Sequence, residues 1–148
     1  MALDELKAYA RRVPEELLTQ GDLAVADAVF ATDVVSHDAT GHMPGVAGTK
    51  QVVLTLRRAF PDLCALVEDE IAEGDRVVQR ITLSGTHWGE YYGLKPTGRR
   101  ATWQLVTIQR IGPDGKIAER WSNGDDLGML QQIGVVPTPG QATEEAGA

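Results

Sequence analysis

Hydrophobic positions change their spacing once along the chain, and the first part has the spacing of helices. In residues 3–20, apolar side chains recur every three or four positions, which predicts an amphipathic helix. Pro14 lies inside this pattern and lacks a backbone donor, so we expect a kink or break there. Gly21 is expected to end the helix, and Asp22 to cap a second helix over residues 23–30.

A short strand and a third helix complete the helical part of the chain. The segment DVVSHD, residues 33–38, predicts the strand, and MPGVAG predicts a loop after it. Thr49 is placed to cap the third helix, which Pro61 ends. The apolar face of this helix comprises Val52, Val53, Leu56 and Phe60.

From residue 62 onward the apolar positions alternate, as they do in strands. Residues 63–89 predict two strands joined by a turn at AEGD, and RRATWQLVTIQRIG predicts a third long strand. PDGK is a tight turn before a fourth strand, KIAERWSNG. Asp125 then opens a terminal helix, and the segment 135–148 is expected to be a disordered tail because it is rich in Pro, Gly and small polar residues.

This order of elements predicts an α+β fold, with the N-terminal helices packed on one face of a mostly antiparallel sheet. The strand at 101–111 is apolar on both faces, so both faces must be covered. Trp103, Leu105 and Ile111 point one way, and Val106 and Ile108 point the other way. Because helices cover one face only, we expect a homodimer packed sheet to sheet. The curved sheet and its helices would enclose an apolar pocket.

Composition and charge indicate which binding partners and which cellular location to expect. The chain has 148 residues, which fits one domain over residues 1–134. Its formal net charge of −7 argues against binding to nucleic acid or anionic membranes. The acidic, amphipathic N-terminus is unlike a signal peptide, so we expect a cytoplasmic protein. Cys64 lies in an apolar stretch and is expected to be buried packing, without a disulfide partner in the chain.

Several motifs, in a fixed order over roughly residues 10–134, resemble those of one family. They are DVVSHD, AFPDL, EDEIAEGDRVVQRITLSGTHWGEYYGLKPTGRR, DGKIAERW and DLGMLQQIG. The sequence is similar to the SnoaL-like polyketide cyclases, including the group called predicted ester cyclases, within the nuclear transport factor-like fold. The resemblance implies a cone-shaped α+β roll, with a curved sheet wrapped around the N-terminal helices. It also implies a small hydrophobic substrate from natural-product (antibiotic) biosynthesis.

Two positions depart from the family pattern, and they bear on the reaction. The resemblance aligns Thr107 with a histidine or acid, and Ser122 with a catalytic aspartate, of the family's cyclases. Neither hydroxyl is an acid or base near neutral pH, so these residues do not support aldol cyclisation. The resemblance includes relatives that lack the cyclase residues and are regarded as hydroxylases, and it therefore implies hydroxylase-type chemistry on an aromatic polyketide. Two alternatives stay open: a true aldol ester cyclase that uses Asp125, and a binding module without catalytic activity.

The catalytic candidates each have a structural role to set against the catalytic one. Asp125 is the candidate base at the end of the last strand, but aspartate is also among the best helix caps. Asp126 would lie in the first helical turn, where its charge suits the helix dipole. His37 is the second catalytic candidate, and a hydrogen bond that stabilises the neighbouring loop is its alternative. His42 is expected to lie at the surface.

Further candidates would contact the substrate. They are Trp103, Thr107, Trp121, Ser122, Asn123, His87, Tyr91 and Tyr92. The resemblance implies that the side chains of Thr107 and Ser122 face the pocket. The loop WGEYYGLKPTG, with three aromatic residues and three glycines, can close over an apolar ligand, although an ordinary hairpin connection has the same features. No spacing of histidine, cysteine or carboxylate residues favours a metal site, and we expect neither metal nor cofactor.

Overall fold

The computed structural model describes residues 1–38 and 43–140, and within them it shows the mixed α+β architecture that the sequence predicts. The helices are α1 (Leu3–Arg12), a π-helix (Val13–Thr19), α2 (Leu23–Val29), α3 (Gly45–Ala59) and α4 (Asp126–Gln132). The strands are β1 (Phe30–His37), β2 (Cys64–Glu73), β3 (Arg76–Thr86), β4 (Arg100–Ile111) and β5 (Ile117–Gly124). Within the described ranges, no helix is long and apolar enough to cross a membrane.

The kink expected at Pro14 is a wider helix rather than a break. Pro14 cannot donate to the preceding turn, and the chain continues from Val13 as a π-helix. The hydroxyl of Thr19 donates to the carbonyl of Pro14 at 2.8 Å, and it accepts from the backbone N–H of Ala65 in β2 at 3.0 Å. The π-helix is thereby fixed to the sheet, with Leu17 fully buried.

The beginnings of α2 and α3 test two predicted caps. The carboxylate of Asp22 accepts from the backbone N–H of Ala24 at 3.2 Å, so the cap of α2 is confirmed. The cap predicted at Thr49 is wrong, because α3 begins at Gly45 and Thr49 lies buried inside it. Pro44 is extended and ends the preceding segment, and Gly45 has a φ of +72° that most residues avoid. Part of the predicted loop MPGVAG is therefore the first turn of α3.

Five strands form one sheet in the order β1-β5-β4-β3-β2. Neighbouring strands are antiparallel except for β1 and β5, which are parallel. β1 begins at Phe30, which the helical spacing had assigned to the end of α2. The helices cover one face of the sheet, here called the inner face, and the other is the outer face. The two predicted orientations in β4 are confirmed, since Trp103 and Ile111 are buried on the inner face and Val106 is 43% exposed on the outer face.

The core lies between the helices and the inner face. Phe60, at the end of α3, has its ring centroid 5.2 Å from that of Trp103 and 5.7 Å from that of His87. Cys64 was expected to be buried, but it is exposed as the first residue of β2. Val135, the first residue of the predicted tail, packs against the core, whereas residues 141–148 and His42 lie outside the described residues.

Candidate functional site

A cavity of about 200 Å³ lies between the helices and the inner face of the sheet. Its helical side is formed by Val13, Leu17, Leu18, Thr49, Val52, Val53 and Leu56. Its sheet side is divided into an apolar part, Leu83, Trp103 and Leu105, and a polar part, Ser36, Asp38, Arg120, Ser122 and Asn123. Tyr91, Tyr92, Gly124 and Asp126 complete the lining. A ligand here would meet apolar side chains on most sides and polar groups along β1, β5 and α4.

Strand register explains why the polar groups share one wall. Alternate residues of a strand point to the same face, so Arg120 and Ser122 both face inward. Thr107 of β4 lies directly opposite Ser122, and Gln109 lies opposite Arg120. Gln79 of β3 lies opposite Thr107 on the other side. These five side chains form one continuous polar patch on the inner face of the sheet. The resemblance implied that Thr107 and Ser122 face the pocket, and of these two Ser122 lines the cavity whereas Thr107 does not.

Most of this patch is buried, and several of its atoms lack hydrogen-bond partners. Gln109 is fully buried, and within the described part of the chain neither its amide oxygen nor its amide nitrogen has a partner. The hydroxyl of Thr107 is also unpaired, and so is the side-chain oxygen of Gln79. The amide nitrogen of Gln79 donates to Glu70 at 2.7 Å. Since each unpaired buried group costs about 1–3 kcal/mol, this patch is costly to the fold unless a ligand or water contacts it.

Asp125 and Asp126 are neighbours in sequence but have different surroundings. The Asp125 carboxylate accepts from the backbone N–H of Gly128 at 2.9 Å and caps α4, and it is not part of the cavity lining. Asp126 lines the cavity, with Oδ1 beside Gly124 of β5. Burial raises the pKa of Asp126, and the negative charges of Asp125 and Asp38 raise this pKa further. Of the two carboxylates at the start of α4, Asp126 is therefore the one that lines the cavity and has a raised pKa.

Arg120 places a positive charge in the same wall. Its guanidinium carbon lies 5.8 Å from the centroid of the Phe30 ring, and its Nε is buried without a hydrogen-bond partner among the described residues. Burial lowers the pKa of Arg120, while the charge of Asp38 acts in the opposite direction. An arginine in a protein remains charged at neutral pH even so. The wall thus combines a cation, Arg120, with two acidic residues, Asp38 and Asp126.

A tight turn at Tyr91–Leu94 forms the edge of the cavity. The backbone groups of Tyr91 and Leu94 bond to each other at 2.9 and 3.1 Å, and both central residues, Tyr92 and Gly93, have positive φ angles. Tyr92 is strained by its φ of +45°, since only glycine adopts that region freely. The rings of Tyr91 and Tyr92 meet edge to face at 4.7 Å. Burial, followed by the charge of Asp126, raises the pKa of Tyr91 to about 12, so its hydroxyl stays protonated at neutral pH.

His87 is fully buried, but it is not part of the cavity lining. Its Nδ1 accepts from the backbone N–H of Thr97 at 3.2 Å, so the neutral ring carries its proton on Nε2. Burial lowers the pKa of His87, which keeps the ring neutral. The backbone of His87 bonds to Arg99 and Gly98 as well, at 2.9 and 2.8 Å. These contacts anchor the loop that carries the two tyrosines.

His37 and Trp121 lie on the outer face, away from the cavity. Their rings stack with a centroid distance of 5.1 Å, and the Arg76 guanidinium lies 5.2 Å from the Trp121 centroid. His37 Nε2 is 2.8 Å from the carboxylate of Glu119, which also accepts from Arg110 at 3.1 Å. Those two hydrogen bonds lower the pKa of Glu119. The predicted catalytic pair, His37 and Asp125, is therefore not brought together at the cavity.

Comparisons with known proteins agree with this geometry. The sequence profile described as SnoaL-like polyketide cyclase matches residues 8–133. The chain belongs to the SnoaL-like polyketide cyclase family. The resemblance stated from the motifs is thus confirmed.

Curated members of the family from Streptomyces are named as ester cyclases. Aklanonic acid methyl ester cyclase DnrD of Streptomyces peucetius is 35% identical over 103 residues, which are 66% of this chain and 70% of that protein. Nogalonic acid methyl ester cyclase of Streptomyces nogalater is 36% identical over 85 residues, or 57% of this chain and 63% of that protein.

Solved structures of similar proteins share the fold. AclR of Streptomyces galilaeus, a proposed hydroxylase, superposes with a TM-score of 0.80 and 30% identity over 99% of this chain and 91% of AclR. IdmH of Streptomyces antibioticus, a proposed polyketide cyclase, has a TM-score of 0.75 and 31% identity over 88% of this chain and 99% of IdmH. The neighbours therefore include both reaction types that the sequence left open.

Within this SnoaL-like fold, the sequence-predicted contact residues divide into two groups. Trp103, Ser122, Asn123, Tyr91 and Tyr92 line the cavity. Thr107 is on the same face as its partner Ser122 but is not part of the lining, His87 is buried away from the cavity, and Trp121 lies on the outer face. Among the described residues, no three His, Cys, Asp or Glu side chains are grouped as a metal site would require.

Sequence reasoning did not select Arg120 or identify Asp126 as a cavity residue. Alternation from Ser122 places Arg120 on the inner face, and that signal was available in the sequence. The orientation of Asp126 depends on how the start of α4 packs, which no local pattern encodes.

Proposed function

We propose that this SnoaL-like protein is a cofactor-free enzyme that removes a carbon-bound proton from an aromatic polyketide ester, with Asp126 as the base. The observation that carries the proposal is the Asp126 carboxylate, which lines an apolar cavity and has a raised pKa. A base works best when its pKa is near the working pH, and although Asp126 is exposed at the cavity edge, the partial desolvation of its carboxylate moves its pKa in that direction. Asp125, the base predicted from sequence, serves as the cap that fixes the start of α4.

The reaction we propose needs no electron acceptor. Asp126 takes a proton from a carbon flanked by two carbonyl groups, and the electron pair delocalises onto their oxygens as an enolate. The enolate carbon then attacks another carbonyl carbon of the same molecule, forming a C–C bond as the C=O π bond breaks. The new alkoxide takes a proton back from Asp126. The protonated hydroxyl of Tyr91 is a hydrogen-bond donor beside this base.

The size of the cavity agrees with a ligand that also occupies its opening. A volume of about 200 Å³ is below the roughly 300–1,000 Å³ of typical small-molecule sites. A substrate of several fused rings would fill the cavity and extend toward Tyr92, which is 61% exposed at its edge.

A second candidate function is hydroxylation at the same activated carbon. Thr107 and Ser122 occupy the positions where the family's cyclases carry an acid and its partner, and AclR, a proposed hydroxylase, resembles nearly the whole chain. Proton removal by Asp126 is common to both reactions. In hydroxylation the enolate carbon would form a C–O bond with dioxygen as the O–O π bond breaks, and a proton would complete a hydroperoxide. From a carbon that carries a second hydrogen, loss of water would then leave a carbonyl oxygen, so no reductant is needed. Cyclisation consumes no dioxygen, so oxygen uptake during turnover distinguishes the two reactions.

Deuterium exchange at the activated carbon tests the shared first step. We expect the wild-type protein to exchange this proton in an anthraquinone-type β-keto ester, and Asp126→Asn to slow exchange by about 10²–10⁴-fold. Asp125→Asn is the matched control, since asparagine caps a helix as well as aspartate, and it should keep the rate within a few-fold. A folded Asp126→Asn variant with the wild-type rate would refute the assignment. Binding without any exchange in the wild type would favour a binding module.

A further inference from the structure

The cavity has a polar wall whose groups come from two strands that are neighbours in space. Ser36 of β1 lies beside Arg120 of β5, and Ser122 follows on the same face. The opposite walls are aliphatic and aromatic, with Leu83, Trp103 and the helical residues. A ligand that matches both walls therefore has oxygen atoms along the edge that faces the polar wall and is apolar along the opposite edge.

Arg120 differs from Arg110, a nearby arginine on the adjacent strand β4. Arg110 projects from the outer face of β4, is partly exposed and donates to Glu119 at 3.1 Å. Arg120 projects inward, rests on the Phe30 ring and has a buried Nε without a partner among the described residues. The fully buried amide of Gln109, opposite it in register, is unpaired as well. Among the described residues, donor capacity thus remains at Arg120 in the cavity wall and at Gln109 beside it on the inner face.

We propose that Arg120 and Ser122 form a subsite for an ionised oxygen of the substrate, either a carboxylate or a phenolate on the aromatic ring system. The guanidinium supplies charge and directed N–H donors, and the serine hydroxyl supplies one more donor. A neutral carbonyl could accept from the same donors, but it would lack the charge that strengthens a hydrogen bond to the guanidinium. The proposal rests on the proposed function, because it takes the ligand to be an aromatic polyketide.

The position of this subsite also sets how the ligand is oriented toward the base. Arg120, Ser122 and Gly124 follow one another along the inner face of β5, and Asp126 lies beside Gly124. Arg120 and Gly124 are four residues apart, or about 13 Å at ~3.3 Å per residue. An oxygen held at Arg120 therefore lies on a different part of the ligand from the carbon that faces Asp126. The subsite would select substrates with an ionised group remote from the reacting carbon.

Calorimetry with three anthraquinone probes tests the subsite. Anthraquinone-2-carboxylate carries the carboxylate, 2-hydroxyanthraquinone at a pH where it is ionised carries the phenolate, and anthraquinone-2-carboxamide is neutral. We expect wild-type protein to bind at least one anionic probe about tenfold to a hundredfold more tightly than the amide, the range for a hydrogen bond to a charged group. Which anion gains more identifies the source of the oxygen. Equal affinity for all three probes would overturn the proposal.

Substitutions assign the preference to Arg120. Arg120→Met keeps the aliphatic length and should abolish the preference for anionic probes while the amide still binds, and Arg120→Lys should retain part of it. Arg110→Met, on the outer face, is the matched control and should leave all three affinities unchanged. A folded Arg120→Met variant that keeps the full preference contradicts the subsite. If that variant does not fold, Arg120→Lys together with Ser122→Ala decides: an undiminished preference in both contradicts the proposal.

The same proteins separate this subsite from the proposed reaction. If wild-type protein shows the anion preference, loses it in Arg120→Met and exchanges no deuterium, the subsite stands and the enzymatic function fails. If deuterium exchange depends on Asp126 but the probes bind equally, the reaction stands and the subsite is refuted.

Discussion

The inner and outer faces of the sheet are built from alternate residues of the same strands, but they hold their polar groups differently. On the outer face, Glu119 accepts hydrogen bonds from Arg110 and lies 2.8 Å from His37. On the inner face, Gln109 has no partner among the described residues for either amide atom, and Arg120 has none for Nε. The outer polar groups bond to one another, whereas the inner ones are buried with hydrogen-bonding capacity left over.

This difference favours the inner face as the one that binds a ligand. Unpaired buried polar groups destabilise a fold unless a ligand or water contacts them, and they include Arg120 in the cavity lining, with Thr107 and Gln109 beside the lining residues in register. The paired and partly exposed groups of the outer face need no such contact. They resemble the polar parts of protein–protein interfaces, mixed with apolar side chains.

The largest expected effect is a loss of stability when a buried apolar side chain of the inner face is removed. Trp103 is 4% exposed and packs against Phe60, so Trp103→Ala should lower the free energy of unfolding by about 3–5 kcal/mol. Trp88→Ala is the control, because Trp88 is 63% exposed and should change stability by about 0.5 kcal/mol or less. Urea unfolding measures both. Equal losses would show that burial on the inner face does not dominate stability.

A gain of activity should follow if a histidine and an aspartate, the residues that the resemblance places in the family's cyclases, replace Thr107 and Ser122 on the inner face. Thr107 and Ser122 are direct partners across β4 and β5, with side chains about 5 Å apart. Thr107→His combined with Ser122→Asp should increase enolisation of an anthraquinone-type ester, by up to about 10² over wild type, and Ser122→Asp alone should give less. Deuterium exchange measures the gain. A folded double variant that binds the ester without faster exchange would show that the two positions do not support this chemistry.

The outer face carries a row of four apolar side chains, one on each of β2 to β5, which ends at His37 of β1, and we propose that a second copy of the chain covers it. In register order the row is Ile71, Val78, Ile108, Trp121 and His37. Ile71 is 64% exposed in the single chain. The flanking charges are of both signs, Arg110 and Glu119, which suits a self-complementary interface.

Ile108→Lys should break this dimer while leaving the cavity intact. Light scattering should give wild-type protein about twice the chain mass of 16.0 kDa, and the variant should dissociate at concentrations at least about tenfold higher than wild type. Leu54→Lys, at an exposed position of α3, is the control and should keep the dimer. A wild-type mass near that of one chain would refute sheet-to-sheet pairing.

The smallest expected effect concerns the stability cost of Asp126. The pKa of Asp126 is higher in the folded state than in the unfolded state, where it is about 3.9. As pH rises from the unfolded value through the folded value, ionisation of Asp126 therefore lowers the free energy of unfolding. Asp126→Asn should therefore have a slightly higher melting temperature than wild type at pH 7, and this difference should shrink toward pH 4. Thermal unfolding at both pH values checks the sign. A lower melting temperature for the variant at pH 7 would mean that the charge stabilises α4 more than burial penalises it.

Much of the fold could be predicted because its signals are local. The alternation in β4 separated Val106 from Trp103, and the cap at Asp22 follows from residue type and position. The start of α3 was misplaced because Thr49 is a good cap by type, whereas Pro44 and Gly45 define the start by backbone geometry. The placement of β1 beside β5 is a long-range pairing, and no local spacing reports it.

The candidate site could be predicted only in part, for a related reason. Resemblance and alternation placed Ser122 and Thr107 on the inner face. They could not decide between Asp125 and Asp126, since both fit the start of a helix and only tertiary packing determines which carboxylate enters the cavity. His37 and Trp121 were selected by residue type, but they lie on the face opposite the cavity.

The docking of α4 makes the proposed base sensitive to residues far from the cavity. The side chain of Gln132 forms two hydrogen bonds of 2.8 Å with the backbone of Thr102. Met129, in the same helix, and Ile133, directly after it, are buried in the core. These contacts hold the helix whose first residue is Asp126. The proposed base thus lies at the first residue of a short helix whose last residue is fixed to the sheet. Evolutionary substitution of Gln132 would therefore shift the position of Asp126 and change the rate of the proposed reaction, even if every side chain that contacts the substrate is conserved.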